Sequence, residues 1–179
     1  MPSDNETAAL TADEIKALQA PLKARYKQDP AAARHTLVAQ GRLLAQRPAV
    51  RIETGQGRVV AGLHPATGGS GADACSGDML LESLAACSGV TLKAVATALG
   101  IPIREGVVIA EGDLDFRGTL GMDREVPVGF SAIRLRFILD TDADDQQLDL
   151  LLKLAERYCV IYQTLKVPPQ LSLERTRTG

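Results

Sequence analysis

Cys87 stands in Leu84-Ala85-Ala86-Cys87-Ser88-Gly89, where small neighbours leave its sulfur room for an approaching oxidant on a helix otherwise expected to be sealed. Cys159 closes Glu156-Arg157-Tyr158-Cys159, the end of an amphipathic stretch that could bring the two sulfurs within disulfide reach if it faces that helix. Both positions also admit a plainer reading, a small apolar residue filling a core. Cys75, in Ala74-Cys75-Ser76-Gly77, reads as incidental or as a rival to Cys159. A thiol that attacks peroxide needs a cation to hold it as thiolate and an acid that helps protonate the leaving oxygen. Arg58, leaving a glycine turn, is the candidate cation, with Arg51, Arg117 and Arg157 as competitors and an exposed strand arginine as the alternative. Glu82 and Asp78 are the candidate acids. Glu82 lies five residues before Cys87, about 140° round a helical wheel, so the two side chains do not stack. Asp78 serves equally as a first-turn carboxylate favoured by the helix dipole.

Other constellations are incomplete. Gly55-x-Gly57 lacks the third glycine of a dinucleotide fingerprint, and Gly68 to Gly71 is followed by no Lys-Ser/Thr, so both read as turns. His35, His64 and the three cysteines lack the close spacing that pre-organises zinc, and no Gly-x-Ser-x-Gly elbow occurs, so neither a metal nor a cofactor is expected. A net charge of −2 from well-mixed residues, with 3% aromatics, leaves no electrostatic footprint for nucleic acid. Asp4, Glu6, Asp13 and Glu14 interrupt the N-terminal region without a long apolar run, so no signal segment is expected. No stretch is expected to approach a membrane-spanning length. Few cysteines and no leader point to a reducing, cytoplasmic setting.

The elements that must position these residues can be read from periodicity. Thr11-x-x-Glu14 is a capping box, and Ile15, Leu18, Leu22 and Tyr26 continue at helical spacing to about Gln28. Asp29-Pro30 suits the start of a second helix carrying Leu37, Leu43 and Leu44, which makes residues 1–47 a helical arm and 48–179 the main domain. Val50 to Leu63 reads as a hairpin around Thr54-Gly55-Gln56-Gly57. Met79 to Leu99, apolar on several faces, predicts a buried central helix ended by Gly100. Val107 to Phe116 and Ile133 to Leu139 alternate as half-buried antiparallel strands. Asp144 to Tyr158 predicts an amphipathic helix, and Leu171-Ser172-Leu173 can close the sheet. The fold class is α+β with antiparallel sheet.

Gly68-Gly69-Ser70-Gly71, the run from Gly77 through Ser83 to Cys87, and Glu156-Arg157-Tyr158-Cys159-Val160-Ile161-Tyr162-Gln163-Thr164-Leu165 together resemble the OsmC/Ohr family over roughly residues 50 to 174, including both family cysteines. The resemblance implies antiparallel sheets wrapped around long central helices in an intertwined homodimer, with a reactive site in each half at the subunit interface. It implies that Cys87 attacks a hydroperoxide, an organic one in Ohr-type members or another oxidant in an OsmC-like side branch, to give a sulfenic acid that Cys159 condenses with to form a disulfide. A dithiol reductant of dihydrolipoyl type then resets the pair. The chain departs from the pattern at Gly77, where Ohr-type members have a glutamate, and at Val160, where a proline is usual; Arg58 matches the family arginine loosely. The alternative is an OsmC-like dimer that senses oxidation or binds a small molecule without turnover.

Overall fold

A computed structural model describes residues 10–55 and 57–177. Helix α1, Ala12–Gln28, begins with the expected box: the Thr11 hydroxyl accepts from the Glu14 N–H while the Glu14 carboxylate accepts from the Thr11 N–H. Asp29 and Pro30 do open a new turn, with the Asp29 carboxylate accepting from the Ala31 N–H at 3.0 Å. The expected second arm helix does not form, however. Its place holds one 3-10 turn, Pro30–Ala33, and then extended chain leading to strand β1, Gly41–Leu43. Leu37 and Leu43 are exposed, so a helix here would bury no stripe, whereas β1 gains a ladder against strand β2, Val50–Thr54.

β2 pairs antiparallel with strand β3, Gly57–Gly62, in the predicted hairpin; Gln56, at its turn, and residues 1–9 of the expected arm lie outside the described residues. Gly57 has φ 145°, a conformation that glycine adopts without strain. After the glycine-rich loop, strand β4, Ala74–Cys75, joins β3 in parallel and completes a four-stranded sheet of order β1-β2-β3-β4.

Helix α2, Ser76–Leu99, is the predicted central helix, begun one turn early and closed by Gly100 at φ 69°. Strands β5, Glu105–Asp113, and β6, Ala132–Asp140, form a separate antiparallel pair. β6 alternates as its sequence predicts, with Ile133, Leu135, Phe137 and Leu139 half-buried and Arg134, Arg136 and Ile138 exposed. The short helix α3, Phe116–Thr119, sits in their connection. Helix α4, Asp145–Tyr158, starts on a second capping box, Asp144 with Gln147. Helix α5, Val160–Lys166, comes directly after it. The Leu171–Leu173 segment is exposed and unpaired within the chain.

The core forms where α2 meets α4: Leu92, Ala96, Ile101, Leu151 and Ala155 are buried together, with Phe137, Leu139 and Leu148 packed against them. Burial on α2 is confined to one stripe, Leu84, Ser88, Leu92 and Ala96, at four-residue spacing. The helix is therefore not sealed all round within one chain. By length and composition alone this 24-residue helix, with a window of mean hydropathy 1.4, reaches what a bilayer span requires, which corrects the expectation that no stretch approaches that length. Its packing against β5, α4 and α5 instead makes it the internal helix of an α+β domain.

A two-thiol candidate active site

The α4–α5 junction places the site. One residue separates the helices, and Cys159 is that residue: its N–H closes α4 on the Ala155 carbonyl, and its sulfur caps α5 by accepting from the Tyr162 N–H at 3.4 Å. Leu151 and Ala155 are buried in the core cluster that Leu92 and Ala96 of α2 also form, and this packing turns the junction toward the middle of α2. There the Cys159 sulfur, buried, lies 3.3 Å from the Ser88 hydroxyl. Cys87, the next residue back and only half-buried, is thereby brought against the same junction.

Two opposed effects act on the Cys87 thiol. Partial burial raises its pKa, since a thiolate is less well solvated there. The Ile161 N–H, the Cys159 thiol, the Val160 N–H and the Thr91 hydroxyl lie close enough to the sulfur to favour the thiolate. The donors prevail, and Cys87 is held below the ordinary thiol range. The result is a thiol whose anion is favoured, at a partly open position with a second thiol beside it, an arrangement able to form a sulfenic acid and then a disulfide. All the cysteines are free.

The structure thus brings Cys87 and Cys159 together within one chain, and it does not bring Arg58 to them. Arg58 lies 75% exposed on β3, where it faces Glu53 across the hairpin and donates to its carboxylate at 3.1 Å. Arg117 pairs with Asp115, Arg157 lies over the Tyr158 ring at 5.6 Å, and Arg51 is exposed on β2. Asp78 and Glu82 line a shallow cleft against Val108 and Ala110 of β5. Cys75 precedes α2, twelve residues before Cys87 and therefore about 18 Å away along the helix. It opens onto a different cavity, of about 440 Å³, together with His64 and Phe116, whose rings stack at 4.7 Å.

Sequence reasoning misses Thr91, Ser88 and the N–H groups of Val160 and Ile161. Thr91 could have been found, because it stands four residues after Cys87 on the same helical face. The backbone donors carry no side-chain signature. A cavity of about 190 Å³ opens on the other side of Cys159, between Leu135 and Phe137 of β6 and Glu156 and Tyr162.

A family model described as OsmC-like protein matches residues 69–174 of the chain. Among solved structures, an OsmC like protein from Mycoplasma pneumoniae superposes with a TM-score of 0.62 at 17% identity, covering 75% of this chain and 89% of that one. An organic hydroperoxide resistance protein OsmC from Legionella pneumophila gives 0.58 at 17% identity, covering 75% and 93%. An organic hydroperoxide resistance protein from Elizabethkingia anophelis gives 0.58 at 14%, covering 75% and 92%. At these identities the likeness establishes the fold. No curated protein matches the sequence.

Proposed function

The chain belongs to the family of OsmC-like proteins, and from that premise we propose that it is a thiol-dependent peroxidase, reducing hydroperoxides, organic ones in preference, through Cys87 and Cys159. The observation that carries this reading is the set of donors that holds the Cys87 sulfur below the ordinary thiol range with Cys159 beside it. The Cys87 thiolate attacks the terminal oxygen of ROOH, the O–O bond breaks, and the alkoxide takes a proton from solvent to leave as ROH. Cys87 is then a sulfenic acid. Cys159, deprotonated, attacks that sulfur, and hydroxide leaves and is protonated to water. A dithiol of dihydrolipoyl type reduces the resulting disulfide by exchange and is itself oxidised to a cyclic disulfide.

Arg58 has a place in this scheme as a cation supplied across a homodimer, since its own chain holds it out at the hairpin against Glu53. The dimer would also cover the side of α2 that a single chain leaves open.

The test is to mix the reduced protein with one equivalent of cumene hydroperoxide or hydrogen peroxide and to follow intact mass and free thiols. Loss of two thiols per chain, mapped to a Cys87–Cys159 disulfide and faster with the organic peroxide, is the expected result, as is multiple turnover with excess dihydrolipoamide. If both thiols survive, or if Cys87→Ser consumes peroxide as fast as the unaltered chain, the reading is wrong. One observation favours the second reading, a redox sensor. Gly77 stands where Ohr-type members have their acid, and Asp78 and Glu82 face a different cleft. A sensor stops near one equivalent of peroxide per thiol pair.

A further inference from the structure

Ser88 is the buried polar side chain among the described residues, 1% exposed, and it immediately follows Cys87. Hydroxyls inside helices usually turn back to a carbonyl of their own helix, as Ser83 does to Leu80 and Thr97 to Lys93 on this same α2. Ser88 does otherwise and reaches across to the Cys159 sulfur at 3.3 Å. That sulfur also accepts from the Tyr162 N–H at 3.4 Å, while the Cys159 thiol lies within hydrogen-bonding reach of Cys87. When the Ser88 hydroxyl donates, as the Tyr162 N–H does, both acceptor directions of the sulfur are taken and the thiol proton points at Cys87. The titratable and charged groups around the sulfur are Cys87 on α2, Glu156, Arg157 and Tyr158 on α4, and Tyr162 on α5, and β6 presents only Leu135 and Phe137.

We propose that Ser88 is a positioning residue for the resolving step: its hydroxyl aims the buried Cys159 sulfur at Cys87 and donates to it as it becomes the attacking thiolate. This rests on the peroxidase reading and adds to it a division of labour on one helix, in which Cys87 takes the oxygen and its neighbour prepares the sulfur that removes it. In the step itself the Cys159 thiolate forms the S–S bond as the S–O bond of the Cys87 sulfenic acid breaks. The departing hydroxide recovers the proton that Cys159 gave up, so water is the only product besides the disulfide. A donor to a buried anion is worth more than one to a neutral group, and its loss should slow the step roughly ten- to a hundredfold.

The experiment is a single turnover with one equivalent of cumene hydroperoxide on the full chain, on Ser88→Ala and on Ser88→Thr, between pH 6 and pH 9, quenched with dimedone and read by intact mass. The expected result for Ser88→Ala is Cys87 oxidation within about twofold of the unaltered chain but disulfide closure slowed roughly ten- to a hundredfold. Sulfenic acid then accumulates as the dimedone adduct, and the pH of half-maximal closure moves upward. Ser88→Thr restores closure, the adjoining cavity giving room for its methyl group. Closure at the unaltered rate in Ser88→Ala overturns the proposal. So does a slowing equal at every pH that threonine does not rescue, because that is the signature of packing alone. If the unaltered chain keeps both thiols under peroxide, the peroxidase reading itself fails and the role of Ser88 falls with it.

Discussion

A cysteine becomes a useful nucleophile when its surroundings favour the anion more than burial opposes it, and at Cys87 that balance is struck by neutral donors. Burial raises its pKa, and the Ile161 N–H, the Cys159 thiol, the Val160 N–H and the Thr91 hydroxyl together bring it below the ordinary thiol range. Alkylation of Cys87 by iodoacetamide, mapped by peptide mass, is therefore expected to titrate at a lower pH than a model thiol, and Thr91→Val to move that midpoint upward. An unchanged midpoint in the variant would remove Thr91 from the account. The same shift bears on stability, with a definite sign. A thiol whose folded pKa is depressed stabilises the fold fully above its unfolded pKa and loses that contribution as pH falls through the folded value. Cys87→Ser should accordingly flatten the rise of Tm with pH in the alkaline range just below the unfolded thiol pKa. Of this site, the sequence shows the two thiols through their small neighbours and their helix positions. It cannot show that they meet, since the angle at which α4 returns to α2 is fixed by Leu151 and Ala155 packing on Leu92 and Ala96. It shows Arg58 only as an arginine after a glycine turn, which says nothing of what that arginine faces.

Among the elements, those with a local signature are read correctly and those that depend on distant partners are not. The Thr11–Glu14 capping box and the alternation of β6 are local, and the structure has them. The second arm helix is missing because the ladder that competes with it, β1 on β2, becomes available only once the hairpin folds. α5 escapes notice because it is a single short helix whose cap is a cysteine sulfur, an unusual acceptor. Two consequences can be measured by chemical denaturation. Asp144→Ala removes the acceptor for the Gln147 N–H at 2.8 Å and should cost about 1 kcal/mol. Leu151→Ala, at a side chain 0% exposed where α4 meets α2, should cost about 2–5 kcal/mol. The glycine-rich loop supplies a sharper case. A Cβ at Gly69 would lie 1.7 Å from the Leu63 carbonyl oxygen, so Gly69→Ala requires the backbone itself to move. It should destabilise the protein more than Asp144→Ala does; equal losses would mean that the loop yields freely.

At the scale of the whole molecule, the question is what the outer side of α2 is for. Its buried stripe runs through Leu84, Ser88, Leu92 and Ala96, and the positions two residues on, Ala86, Val90, Ala94 and Ala98, lie about 200° away on the opposite face. All four are apolar and exposed, Val90 at 72%, which is a poor surface to leave in water along a central helix. The proposed homodimer covers it, and Val90→Asp should then reduce the mass measured by light scattering from two chains to one. Such a dimer also explains how Arg58 can serve a thiol that its own chain keeps it from, and this has a test independent of mass. Arg58→Ala and Cys87→Ser should each be nearly inactive as pure proteins, the first by roughly a hundredfold if the arginine stabilises the charged transition state. Unfolded together and refolded, they give half mixed dimers, each with one site combining an intact Cys87 with an intact Arg58 from the other chain, so about a quarter of the sites recover. Recovery near that level requires that the arginine crosses between subunits. No recovery on mixing would place Arg58 beside the thiol of its own chain or outside the reaction altogether, and the donors of α5 and Thr91 would then have to hold the thiolate unaided.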